Sequence, residues 1–111
     1  MIELDFIHRV NRENKDIIID RIALSETGIL FVKPKDYTFE MIYRSAKGVH
    51  WDSQRNCLYH NAPQKWDALR WYEQIVSAVK DEYGGILKIS PETIYVNIDD
   101  SLKNSLENFQ E

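Results

Sequence analysis

The sequence predicts an α+β domain: an antiparallel sheet or meander of about five to seven strands, packed by one long helix over about 63–83, with a short C-terminal helix. Two patterns carry that expectation. Strand-like alternation and β-branched runs, separated by turn residues, fill the first sixty positions. A single apolar stripe at helical spacing then runs through 68–83. Strands followed by one helix favour two layers, with the helix covering one face of the sheet.

Taken in order, Ile2, Leu4 and Phe6 alternate with Glu3 and Asp5, as in a half-buried strand. Residues 11–16 form a polar turn. Residues 17–24, rich in isoleucine, are a second strand. Ser25-Glu26-Thr27-Gly28 turns the chain, with glycine where positive φ is wanted. Residues 29–32 return as a third strand, so 17–32 is a hairpin, ended by Pro34, which cannot donate to a ladder.

Residues 38–44 alternate again: Phe39, Met41 and Tyr43 on one face, Thr38, Glu40, Ile42 and Arg44 on the other. After the Lys47-Gly48 turn come two short strands, 49–51 and 57–60. Together, 38–60 reads as a meander.

The helix has Asn61 as its expected cap and Pro63 in its first turn, where a missing N–H costs nothing. Ala68, Leu69, Tyr72, Ile75, Val76, Val79 and Tyr83 form its buried stripe, and Gly84 is its left-handed terminator. Trp71 and Trp66 fall roughly 100° and 120° off the centre of that stripe at 100° per residue. Strands are expected at 86–89 and 93–98. Leu102, Leu106 and Phe109 then mark a short docking helix capped by Asp99 or Ser101.

At 111 residues the chain has the length of one domain, and no linker or repeat divides it. No apolar run approaches the ~20 residues of a membrane span, and the acidic, alternating N-terminus is unlike a signal peptide. The lone Cys57 fits a reducing, cytoplasmic compartment. The net charge is −4. Residues 1–55 balance nine bases against nine acids, whereas 56–111 set five bases against nine acids. Nucleic acid is therefore not an expected partner, nor is a membrane. A protein partner, a second copy of the chain or a small molecule is.

Cys57, His60, His50 and His8 are the metal-type side chains. Cys57 and His60 make half a zinc site at most, and on a strand they point to opposite faces. No metal or cofactor is expected. A Cys57–histidine pair would be the nucleophile of a small enzyme, with Arg44 and His60 in the same cleft, but no elbow or oxyanion loop surrounds it. A buried thiol in an aromatic core is the commoner outcome. Nucleotide-binding glycine loops are absent from the sequence.

The aromatic residues are more informative. Trp51, Tyr59, Trp66 and Trp71 fall in a short stretch with Tyr43, Tyr72 and Tyr83. Tryptophans beside a buried stripe either cap the core or wall a groove, and Trp, Tyr and Arg are enriched at interfaces. Arg44 could grip a ligand carboxylate beside Trp51 or Tyr59, or pair with Glu40 or Asp52. The ligand or interface candidates are thus Arg44, Trp51, Tyr59, His60, Trp66 and Trp71. Asp81 and Glu82 break a local rule, since acids are disfavoured in a helix's last turn. From Asp81 onward seven acids face two lysines. That surplus is either a surface that masks a basic partner, as in an immunity or antitoxin-like protein, or a solubilising face paired with Lys80 or Lys88.

One further pattern is a resemblance. Residues 43–51 (Tyr-Arg-Ser-Ala-Lys-Gly-Val-His-Trp), Cys57-Leu58-Tyr59, Trp66, Trp71-Tyr72, Ala78-Val79, Glu82-Tyr83-Gly84 and 93–98 (Thr-Ile-Tyr-Val-Asn-Ile) resemble the small proteins encoded by bacterial mobile integron gene cassettes. It covers about 43–98, with no counterpart for the first forty residues. It implies a bacterial, cytoplasmic, single-domain protein, and supplies no activity and no catalytic residues.

Overall fold

Five inward-facing side chains organise the first hairpin. The computed structural model, which describes residues 15–60 and 66–109, places β1 at Lys15–Leu24 and β2 at Leu30–Pro34, paired antiparallel. Ile17 and Ile19 point into the core at strand spacing. The register then shifts between Ile19 and Arg21, where two steps on β1 meet one on β2. This bulge changes the phase of the alternation, so Ile22 points inward as well. Leu30 and Val32 meet it from β2. Gly28, at φ +88°, closes the turn as expected.

Two further strands, β3 (Val49–Asp52) and β4 (Cys57–His60), extend the sheet antiparallel beyond β2. β5 (Gly85–Lys88) and β6 (Ile94–Val96) both lie on the other edge of β1, and both run parallel to it. The order is β3-β4-β2-β1-β5, with β6 on β1 as well. The fold is α+β as the sequence indicates, and the sheet is mixed. A long helix separates β4 from β5, and crossing the sheet face lets the returning strand enter parallel. Thr93 fills the break between β5 and β6: its hydroxyl donates to the Ile19 carbonyl at 2.7 Å and accepts from the Ser90 N–H at 2.9 Å.

The strand expected over 38–44 does not form. A 3₁₀ turn, Ile42–Ser45, takes its place. Phe39 and Ile42 are buried, a three-residue step that suits a helical turn, while Met41 and Tyr43 are exposed. The alternation in the sequence was real, but the wrong pair of residues belonged to the core. Ala46, at φ +58°, ends the turn and donates its N–H to the Tyr43 carbonyl.

Helix α1 is Ala68–Tyr83. Its cap is Asp67, whose carboxylate accepts from the Arg70 N–H at 2.9 Å. The helix therefore begins five residues later than the sequence suggested, and Asn61 and Pro63 lie outside the described residues. Gly84 terminates it in the left-handed region, at φ +69°. The inward face carries Tyr72, Ile75, Val76 and Val79 as expected, and also Trp71 and Ala78. Tyr83, assigned to the stripe, is 38% exposed. Helix α2, Asp100–Asn108, is capped by Asp99 and buries Leu106, with Leu102 and Phe109 packed against the core.

Both helices share one core with the inner sheet face, formed by Ile17, Ile19, Ile22, Leu30, Val32, Val49, Leu58 and Leu87. Each such side chain contributes roughly 1.5–3 kcal/mol when fully buried. The strand expected near residues 2–6 lies outside the described residues. No helix among them is long and apolar enough to cross a membrane.

Candidate functional site

The six sequence-level candidates separate into three places. His60 and Trp71 meet at the beginning of α1, their rings stacked 4.1 Å apart and 5° from parallel. His60 is buried, and its Nε2 accepts the Leu30 N–H at 2.9 Å. Trp71 is 4% exposed, so it fills the core beside Gly48 rather than walling a groove. The sheet's far strands curl up the flank of the helix, which is why a residue 100° off the stripe is covered. Trp66 is half-buried against Trp71 at 4.7 Å, with the Arg70 guanidinium over its ring.

Trp51 and Arg44 belong to the opposite end of α1. Trp51 packs edge-on to Phe39 at 5.8 Å. Arg44 pairs with Glu82 at 3.6 Å, not with Glu40 or Asp52; Asp52 pairs with Arg55. Lys47 similarly pairs with Asp81 at 3.3 Å. The two acids in the last turn of α1 are thus matched by cations from the 3₁₀ segment and its following loop. Glu107 accepts from the Tyr95 hydroxyl, and Asp99 is a cap. Four of the seven acids that motivated a masking surface, Asp81, Glu82, Asp99 and Glu107, thus have structural partners.

Cys57 and His60 lie on opposite faces of β4, as their spacing required. The Cys57 thiol donates to the Arg55 carbonyl at 3.3 Å. Burial pushes its pKa up, with nearby Lys33, Arg21 and Arg55 opposing the shift and Asp52 adding to it. A thiol held protonated and turned away from His60 does not suit nucleophilic catalysis. Among the described residues there is no cluster of metal-type ligands. A cavity of about 170 Å³ lies between α1, β5 and α2, lined by Tyr72, Ile86, Leu106 and Phe109. It is well below the ~300 Å³ at which ligand pockets begin.

Tyr59 leads to the third place, the outer face of the sheet. Paired residues on adjacent strands point to the same side. Tyr59 is opposite Phe31 on β2 and His50 on β3. Phe31 is opposite Ala23, and Ala23 is opposite Val96. Val96, Ala23, Phe31, Tyr59 and His50 therefore form one row across five strands. At a strand spacing of about 4.8 Å it spans roughly 19 Å. Phe31 stacks on Tyr59 at 5.9 Å, His50 lies 5.6 Å from Tyr59, and Arg55 sits over Phe31 at 5.2 Å. These aromatic rings are half-buried, and Val96 is 43% exposed. Among the described residues the buried His50 Nε2 has no hydrogen-bond partner.

A second row runs beside the first. Ile94, Arg21 and Lys33 are paired in turn, the same register sets Lys33 beside Cys57, and Cys57 is opposite Asp52. Ile94 is 50% exposed. Both helices pack on the other face, and among the described residues Arg21 and Lys33 carry no salt bridge. The outer face thus presents an aromatic row with three cations, Arg21, Lys33 and Arg55, beside it. Of its members, sequence reasoning had chosen only Tyr59. Phe31 between buried Leu30 and Val32 was the available signal, but only the register shows what stands beside it.

Comparison with known proteins now bears on these features. The family model described as Integron Cassette Protein Hfx_Cass5 matches residues 16–93. That range takes in the β1–β2 hairpin, ahead of the segment in which the sequence resemblance was found. A solved structure from the mobile metagenome of the North West Arm sewage outfall, integron cassette protein Hfx_Cass5, is similar at 30% identity, covering 84% of this chain and 93% of that one, with a TM-score of 0.43. No curated protein matches.

Proposed function

Since the chain belongs to the Hfx_Cass5 family of integron cassette proteins, and that membership brings no catalytic residues with it, we propose that it is a non-catalytic binding protein whose binding surface is the outer face of its sheet. The observation that carries this reading is the cross-strand row Val96-Ala23-Phe31-Tyr59-His50. Aromatic side chains in register on three adjacent strands of that row, with neither helix packed over them, form a rigid platform at little conformational cost. Rigid aromatic surface with arginine at its margin is the composition of recognition surfaces. The protein works in the cytoplasm, in keeping with its lone thiol at Cys57.

The earlier candidates play a different part in this reading. His60, Trp71 and Trp51 hold the curl of the sheet against α1, and Arg44 secures the end of that helix. The competing surface is the exposed group Met41, Tyr43 and Tyr83, which clusters beside the 3₁₀ turn: Tyr83 Oη accepts the Met41 N–H, and the Tyr43 hydroxyl donates to the Met41 sulfur.

Amide NMR titration separates these surfaces. A panel of probes (a single-stranded oligonucleotide, an acidic peptide and an aromatic carboxylate) is added to the labelled protein. Saturable shifts centred on Ala23, Phe31, Tyr59 and His50 are expected with at least one probe. Shifts confined to Met41, Tyr43 and Tyr83, or to Trp66 and Arg70, would overturn the assignment.

A further inference from the structure

We propose that the outer face binds single-stranded nucleic acid, with unpaired bases stacked along Phe31, Tyr59 and His50 and phosphates held by Arg21, Lys33 and Arg55. The inference rests on the reading of that face as the binding surface and names its occupant. Three features select the occupant.

The first is the platform. Phe31, Tyr59 and His50 come from three adjacent strands, with ring centres 5.9 and 5.6 Å apart. Half-exposed rings laid side by side on a sheet can stack unpaired bases, and they accept any base because every base has a π-face. A duplex offers no such bases.

The second is charge. Arg21 and Lys33 occupy the row adjacent to the rings, and Arg55 lies over Phe31. Lys33, Arg21 and Arg55 all lie close enough to the Cys57 thiol to act on it, together with the acid Asp52. Asp52 is the acid in the basic row, and it is held by Arg55 at 3.8 Å. The chain's charge of −4 is a sum over the whole sequence; a polyanion on this face meets a local excess of positive charge. The acids that dominate the total include Asp81 and Glu82 at the end of α1, paired with Lys47 and Arg44.

The third is what the same charges exclude. A second copy stacked face to face would bring two sets of Arg21 and Lys33 into one interface, and opposed like charges disfavour that pairing. An anionic partner meets no such penalty.

The test is fluorescence anisotropy with a fluorescein-labelled oligothymidylate of about 12 nucleotides, a length within the range one small sheet domain occupies. Binding is expected to weaken with salt, with a log–log slope of about −2 for three phosphate contacts on a single strand. Lys33→Gln and Arg21→Gln should each flatten the slope by about 0.7. Phe31→Ala and Tyr59→Ala should each weaken binding about 5- to 100-fold and leave the slope unchanged. The matching duplex should bind at least about tenfold more weakly. Circular dichroism checks that each variant is folded, and Lys33→Gln alters neither core nor ladder. Absence of binding at low salt, a slope indifferent to Lys33 and Arg21, or equal affinity for duplex would overturn the inference.

Cys57 tells this failure apart from failure of the binding face itself. If the oligonucleotide leaves Cys57 alkylation unchanged but an acidic peptide slows it, the face binds and the nucleic acid is wrong. If sedimentation shows self-association that Phe31→Ala abolishes, a second copy is the occupant and the inference is again overturned. If no probe slows alkylation and the NMR shifts map elsewhere, both proposals fall.

Discussion

The two faces of this sheet carry similar side chains and put them to different uses. Inside, Leu30, Val32 and Leu58 are fully buried under α1 and α2. Outside, Phe31 and Tyr59, their immediate neighbours in the chain, lie half-exposed among cations. A strand alternates by geometry alone, so adjacent apolar residues are bound to face opposite ways. What separates their roles is the position of the helices. Apolar residues on the covered face stabilise the fold, whereas those on the outer face have neither helix over them.

That contrast can be broken by experiment, most decisively in the core. Ile22→Ala and Trp71→Ala should each cost about 3–5 kcal/mol in urea unfolding, through lost burial and the cavity left behind. Phe31→Ala on the outer face should cost less than about 1 kcal/mol. Equal losses would mean that both faces are core, and the binding surface would have to be sought elsewhere.

A smaller effect probes the polar member of the inner face. His60→Phe keeps a ring against Trp71 and leaves the Leu30 N–H without its acceptor, which should cost about 1–3 kcal/mol. Hydrogen exchange at the Leu30 amide should quicken in the same variant. If neither changes, the imidazole is filler and its hydrogen bond is dispensable.

Asp67→Ala should cost about 1 kcal/mol, since the carboxylate caps α1. The same change inside a helix that began near 63 would be neutral or stabilising, because alanine is the better helix former. Thermal unfolding of this single variant therefore fixes where the inner layer begins.

The gentlest perturbation belongs to the outer face. Cys57 titrates above the ordinary thiol range because burial disfavours its thiolate, and Lys33 and Arg21 partly offset that. A raised folded-state pKa means that the native protein holds this proton more tightly than the unfolded chain. Its stabilising contribution is present below the ordinary thiol pKa and is lost as pH rises through the folded one. Lys33→Gln removes a cation that favours the thiolate, so the midpoint of Cys57 alkylation should move to higher pH still. An unchanged midpoint, or a downward shift, would place Lys33 away from the thiol and dissolve the basic row.

Much of the fold was legible because it depends on local pattern. The hairpin turn at Gly28, the stop at Gly84, the C-terminal helix with its Asp99 cap and the isoleucine-rich β1 each follow from residues a few positions apart. The 3₁₀ turn was misread for an equally local reason: Phe39, Met41 and Tyr43 satisfy a strand's period, while the buried pair Phe39 and Ile42 satisfies a helix's. The seven residues 38–44 are too few for one period to prevail over the other. The start of α1 was misplaced because Asn61, Pro63 and Asp67 are all acceptable beginnings.

The candidate site was less legible. Tyr59 was chosen, and Trp66 and Trp71 were given more weight because they stood off the helical stripe. Trp71 proved to be core because β3 and β4 curl against the helix flank, which no periodicity within the helix can foresee. The partners of Arg44 and Lys47 come from the far end of α1, nearly forty residues away in the chain.

By itself the sequence determined the α+β class, the single long helix with its stop at Gly84, the Asp99 cap of the C-terminal helix and the placing of Cys57 and His60 on opposite faces of one strand, since all depend on spacing within one element. Only the tertiary structure decided that β5 and β6 return parallel to β1, that both helices lie on one side, and that Phe31, Tyr59 and His50 stand in one row beside Arg21 and Lys33. Those outcomes depend on pairing register between distant strands. A shift of one residue would turn every one of these side chains to the opposite face.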